Sequence, residues 1–168
     1  FDRVVGFGRR SAPAIDLLDE ASLERAAAFA AAQGDVRLAI DATGFLHDGV
    51  QGPEKSWRQI DPVALARAFA LNATGPALIM KHVLPRLPRA GKAAFATLSA
   101  RVGSIGDNRL GGWYAYRASK AALNQLVRTA AIELGRRAPE ALCVALHPGT
   151  VATALSAPFV GRGPDVHA

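Results

Sequence analysis

The chain has 168 residues, half of them hydrophobic and a fifth charged, which is the balance of one soluble globular domain, 1–168, that buries a core. Twenty Lys and Arg against fourteen Asp and Glu leave a net charge of +6. The basic residues are scattered and interrupted by acids, so charge alone supports no nucleic-acid-binding stripe. The single cysteine, Cys143, excludes an internal disulfide, and His47, His82, His147 and His167 are too far apart for a local zinc signature. A cytoplasmic, reducing location is expected. No apolar run approaches the roughly 20 residues that cross a bilayer, and no leader pattern opens the chain. The chain begins at Phe1 rather than Met and runs straight into an apolar stretch.

In chain order, Val4-Val5-Gly6-Phe7 reads as a strand stopped by Gly8 and Arg9-Arg10. A link through Pro13 reaches Ile15-Asp16-Leu17-Leu18, and an Ala-rich helix runs from Ser22 to about Gln33. Val36 to Ile40 is the next strand, and His47 to Asp61 a polar loop. Asp61-Pro62 starts a long helix, Asp as N-cap and Pro at the first position, that continues to about Leu84. Ala93 to Leu98 is a strand, Ser99 to Gly112 a Gly/Ser/Asn-rich loop, and Trp113 to Leu134 a second long helix closed by Gly135 as a left-handed cap. Leu142 to Leu146 is the last clear strand, ended by His147-Pro148-Gly149. Strands alternating with three main helices predict an α/β fold, a doubly wound parallel sheet with helices on both faces and ligands outside the C-terminal strand ends.

The most informative segment is Gly111-Gly112-Trp113-Tyr114-Ala115-Tyr116-Arg117-Ala118-Ser119-Lys120-Ala121-Ala122-Leu123-Asn124. Tyr116 and Lys120, four apart, share a helix face, so the ammonium can sit near the phenol. At an effective dielectric of 20, unit charges about 4 Å apart interact by roughly 4 kcal/mol, enough to bring a phenol from about 10 to about 7. A tyrosine so tuned exchanges protons near neutral pH. Tyr114 has no lysine four residues on.

This segment resembles the short-chain dehydrogenase/reductase family, most closely its carbonyl-reductase branch with the sniffer and C-factor type proteins, and the resemblance extends from about Val4 to Phe159. It implies a Rossmann-type fold and an oxidoreductase moving a hydride between NADP(H) and a carbonyl or alcohol, with Tyr116 as general acid/base. Lys120 would lower its pKa and hold the nicotinamide ribose, and Asn72 in Leu71-Asn72-Ala73-Thr74-Gly75 would complete a proton relay. The family's serine pair after this strand reads Ser99-Ala100 here; Ser99 is taken as catalytic and Ser104 as the alternate.

Cofactor contacts are implied at Arg9 and Arg10, where the absence of an acid and the presence of guanidinium favour NADP(H) over NAD(H). They are implied also at the adenine pair Asp16-Leu17 and at Gly44 of Asp41-Ala42-Thr43-Gly44, which stands where the family has Asn-Asn-Ala-Gly. Pro148, Gly149, Val151 and Thr153 match the family's Pro-Gly-x-Val-x-Thr. The expected partners are a small-molecule carbonyl or alcohol and further copies of the chain, a homodimer or homotetramer packed through the two long helices, with neither nucleic acid nor membrane. A non-catalytic dinucleotide-binding or signalling role is the alternative. Against the family, a first strand with its glycine-rich pyrophosphate turn is expected ahead of Phe1 and a last strand after Ala168, so this stretch alone is expected to bind cofactor poorly.

Overall fold

A computed structural model describes residues 2–48, 52–151, 153 and 156–159, and the backbone of 166–167. Its centre is a parallel sheet in the order β1 (Leu38–Asp41), β2 (Ala93–Leu98), β3 (Ala141–Leu146). Leu38 pairs with Ala94, and Phe95 with Cys143. Helix α1 (Glu20–Ala31) leads to β1, and α4 (Tyr114–Arg137) leads to β3. A helical run joins β1 to β2: α2 (Pro62–Phe69), a π turn (Ala70–Thr74), α3 (Gly75–Val83) and a short 3-10 turn (Leu84–Arg86). A second parallel pair, β4 (Thr150–Val151) and β5 (Val166–His167), stands apart.

Side chains alternate across the strands, and this fixes what each face does. Phe95 and Cys143 point to the side where Met80 of α3 and Leu123, Val127 and Leu134 of α4 complete the core. Phe95 and Leu123 are wholly enclosed, each worth about 2 kcal/mol. On the other side Ile40 is 61% and Leu142 60% exposed, so among the described residues helices cover one face of the sheet, not the two expected. The strand expected over Val4–Phe7 is not formed either. That segment is extended but lacks strand pairing, and it lines with β1, α1 and α3 an apolar cavity of about 430 Å³. Among the described residues the main sheet therefore has three strands, with a separate parallel pair.

Helix boundaries follow local chemistry. Asp61 caps α2 as expected, its carboxylate accepting from the Ala64 N–H at 2.8 Å. Asp19 does the same for α1 through the Ala21 N–H, so that helix starts before Ser22, whose hydroxyl instead ties back to the carbonyls of Asp16 and Asp19. Gly135 does not end α4. Arg137 carries the helix one turn fraction further by donating to the carbonyls of Leu84, Pro85 and Leu87, which anchors its last turn on the end of the preceding helical run. Pro62–Arg86, at 25 residues, is long and apolar enough by length and composition to cross a membrane. Arg67, Lys81 and Arg86 interrupt it, so it contains no unbroken apolar run of that length. In the fold it packs on α1, α4 and the sheet.

Candidate active site

The C-terminal ends of β1 and β2 and the start of α4 converge on one buried polar cluster. Lys120 is 3% exposed, and its ammonium donates to the Leu98 carbonyl at the end of β2, 2.8 Å away. One turn earlier, Tyr116 presents its ring to the same ammonium, 5.9 Å from Nζ to the ring centre. The pairing read from the four-residue spacing is thus present, but its electrostatic consequence is not. Burial pushes the Tyr116 phenol above its ordinary range, and burial pulls Lys120 below its own, against the attraction of Asp41. The lowering of the Tyr116 pKa expected from the spacing is not found: desolvation raises it, while the ammonium is engaged with the Leu98 carbonyl.

Asn72 sits in the π turn, wholly buried. A π turn adds a residue to a helical stretch and re-aims its side chains, a device that recurs at functional sites. Its carbonyl oxygen accepts from the Phe45 N–H (2.7 Å), and its amide donates to the Phe45 carbonyl (2.8 Å) and the Ser119 hydroxyl (3.1 Å). Ser119 passes the link to the Tyr116 carbonyl at 3.0 Å. Asn72 therefore reaches Tyr116 through Ser119 and the backbone. Gly44 lies between these groups: a Cβ there would stand 3.8 Å from Lys120 Nζ and 3.9 Å from Asn72 Oδ1.

Asp41, at the position of the family's first asparagine, braces the strand end. One carboxylate oxygen accepts from the Thr43 N–H (2.9 Å) and hydroxyl (2.6 Å), the other from the buried Thr97 hydroxyl of β2 (2.7 Å). Of the two serines, Ser99 continues β2, its N–H bonded to the Leu146 carbonyl. Its hydroxyl donates to Asn124 Oδ1 at 2.6 Å, two turns beyond Tyr116 on α4. Ser104 is exposed, and its hydroxyl accepts from the Asp107 N–H in a turn.

The remaining predicted residues lie around this cluster rather than in it. Arg9 and Arg10 are exposed in the turn after the Val4–Phe7 segment. Asp16 closes its own turn on the Leu18 N–H at 2.9 Å, and Leu17 packs so closely on Gly75 that a Cβ there would stand 2.9 Å from it. Pro148 is exposed and Gly149 takes φ 77°, which favours glycine. Val151 and Thr153 are exposed, and Ser156 bonds back to both, to the Val151 carbonyl and the Thr153 N–H.

Sequence reasoning missed Thr97, Ser119, Asn124 and Glu54. Thr97 carried a signal, a polar residue inside the apolar strand Ala93–Leu98. Glu54 carried none; it stands in the polar loop, yet it is 7% exposed and contacts the start of α4.

A family model described as enoyl-(acyl carrier protein) reductase matches residues 4–166. The chain belongs to the short-chain dehydrogenase/reductase family. It is 39% identical to the C-signal protein of Myxococcus xanthus over 110 residues, 66% of this chain and 65% of that one. It is 34% identical to the 1-hydroxy-2-glutathionyl-2-methyl-3-butene dehydrogenase of Rhodococcus sp. over 150 residues, 89% of this chain and 62% of that one. It thus spans less than two thirds of the length of these curated relatives. Among solved structures, an NADPH-bound carbonyl reductase from chicken fatty liver superposes with a TM-score of 0.78 at 27% identity, covering 92% of this chain and 62% of that one. The Drosophila melanogaster carbonyl reductase Sniffer shares the fold, with a TM-score of 0.76 at 24% identity over 91% of this chain and 63% of that one.

Proposed function

We propose that the protein of which this short-chain dehydrogenase/reductase domain is made is a carbonyl reductase using NADP(H). The observation that carries the reading is the pairing of half-buried Tyr116 with buried Lys120, one turn apart at the start of α4, with the ammonium anchored on the end of the central strand. At neutral pH the Tyr116 phenol carries its proton, the form needed to protonate a carbonyl oxygen as hydride arrives.

The donor set fits a nicotinamide dinucleotide. Lys120 uses one of its three N–H groups on Leu98, leaving two for ribose hydroxyls beside Gly44, whose missing side chain keeps that approach open. Arg9 and Arg10 are exposed guanidinium groups suited to a 2'-phosphate, and this supports NADP(H) over NAD(H). The similar carbonyl reductase from chicken fatty liver binds NADPH. When bound, the dinucleotide supplies the hydride. Tyr116 delivers the proton to the carbonyl oxygen. Ser99, held by Asn124, accompanies that oxygen as a polar neighbour, and Asn72 fixes the first turn of α4 through Ser119. A reducing compartment and a homodimer or homotetramer through the outer faces of α2 and α4, where Val63, Leu126 and Ile132 are exposed, complete the reading.

The test is NADPH oxidation by the purified protein with a panel of aldehydes and ketones. Turnover is expected and Tyr116→Phe should abolish it. Turnover that survives that substitution would overturn the assignment of Tyr116.

A further inference from the structure

Helix α4 enters the site from an unusual turn. Gly111, Gly112 and Trp113 all take positive φ, 64°, 65° and 54°. Glycine tolerates this, but tryptophan does so only when its surroundings dictate it. Trp113 is the N-cap residue of α4, and its side chain makes no capping hydrogen bond. The orphan N–H groups of the first turn therefore need acceptors from elsewhere.

Glu54 supplies them. Its backbone carbonyl accepts from the Trp113 N–H at 2.5 Å, and its carboxylate Oε2 accepts from the Ala115 N–H at 3.2 Å. The fit is close, since a Cβ on Gly112 would stand 3.1 Å from the Glu54 carbonyl oxygen. Oε1 is buried without a protein partner. Burying a carboxyl group with one oxygen unmatched is costly, and a residue with no more than a loop-closing role would not need the acceptor. That acceptor satisfies an orphan N–H in the turn that carries Tyr116. The Trp113 indole in turn meets the Tyr116 ring edge-on, with 6.1 Å between centres.

We propose that Glu54 is a positioning residue: it caps α4 from a distant loop, holds Trp113 left-handed, and so fixes where the Tyr116 phenol points. The link to catalysis rests on the reading of Tyr116 given above; the link to Trp113 does not.

The experiment uses the whole chain in a Trp57→Phe background. Trp57 is 69% exposed and outside the site, so Trp113 remains as the sole fluorophore of the two tryptophans. Glu54→Ala, Glu54→Asp and Glu54→Gln are compared by Trp113 emission, by acrylamide quenching and by steady-state kinetics. Aspartate is too short to reach Ala115, whereas glutamine keeps one acceptor oxygen there. Glu54→Ala and Glu54→Asp should shift emission to the red and raise quenching about twofold, and lower kcat about tenfold with KM little changed. Glu54→Gln should restore the parent spectrum and most of kcat. If Glu54→Ala does not fold, the Asp and Gln variants still give the comparison. Parent-like spectra and kcat in Glu54→Asp, or a Glu54→Gln protein no better than Glu54→Asp, would overturn the proposal. If the parent itself turns over no carbonyl, the functional reading fails, while the fluorescence still decides the role of Glu54.

Discussion

Asn72→Ala removes one side chain and three hydrogen bonds, those to the Phe45 N–H, the Phe45 carbonyl and the Ser119 hydroxyl. A net contribution near 1 kcal/mol for each gives a loss of about 3 kcal/mol. With a urea m-value of about 2 kcal/mol/M for a chain of this size, the unfolding midpoint should fall by about 1.5 M. Ser119→Ala should cost about 1 kcal/mol, and the double variant should cost less than the sum, because the two residues share a bond. Urea titrations followed by the helical circular dichroism of the four proteins supply all the quantities. A midpoint shift under about 0.5 M in Asn72→Ala, or strict additivity in the double variant, would refute the view that this amide bolts the β1 loop to α4.

Three further outcomes are expected. Gly103→Ala should lower Tm by about 4–8 °C, the equivalent of about 2 kcal/mol, because its Cβ would stand 2.9 Å from the Lys120 carbonyl carbon and 3.0 Å from Asn124 Nδ2; thermal melts decide. Burial pushes the Cys143 thiol up to about 11, so at pH 8 its thiolate fraction is about a hundredth or less of that of a free cysteine. Ellman's reagent should therefore react with it at least about 100-fold more slowly in the folded protein than in urea. Tyr116 has a raised folded-state pKa, so its contribution to stability is present below its ordinary value of 10.0 and is lost as pH rises through the folded value. Melts at pH 9 and pH 11 should then show a smaller alkaline loss in Tyr116→Phe than in the parent.

What the sequence disclosed was local, and what it hid depended on contacts distant along the chain. The Asp61-Pro62 cap, the strand Ala93–Leu98 and the same-face placement of Tyr116 and Lys120 follow from neighbours a few residues apart, and the fold preserves them. Val4–Phe7 has strand composition, but a strand also requires a paired neighbour, which no local pattern supplies; the segment faces a cavity instead. The end of α4 was misplaced for a related reason. Gly135 has the left-handed freedom of a cap, yet Arg137 reaches carbonyls some fifty residues earlier and holds the next turn helical.

The site itself divides along the same line. Tyr116 and Lys120 were legible, but the direction of the phenol's shift was not, because spacing reveals the partner and not the desolvation of both groups. The polar frame around them is long-range throughout: Asp41 to Thr97, Asn72 to Ser119, Ser99 to Asn124, Glu54 to Ala115. Asp41 shows why motif matching alone misleads. Where the family places an amide, a carboxylate stands. In the fold its two oxygens take three donors, one of them on the central strand, while the same charge opposes the desolvation of Lys120. The carboxylate at this position therefore both braces the strand end and adds an anion acting on the ammonium that the proposed reaction depends on.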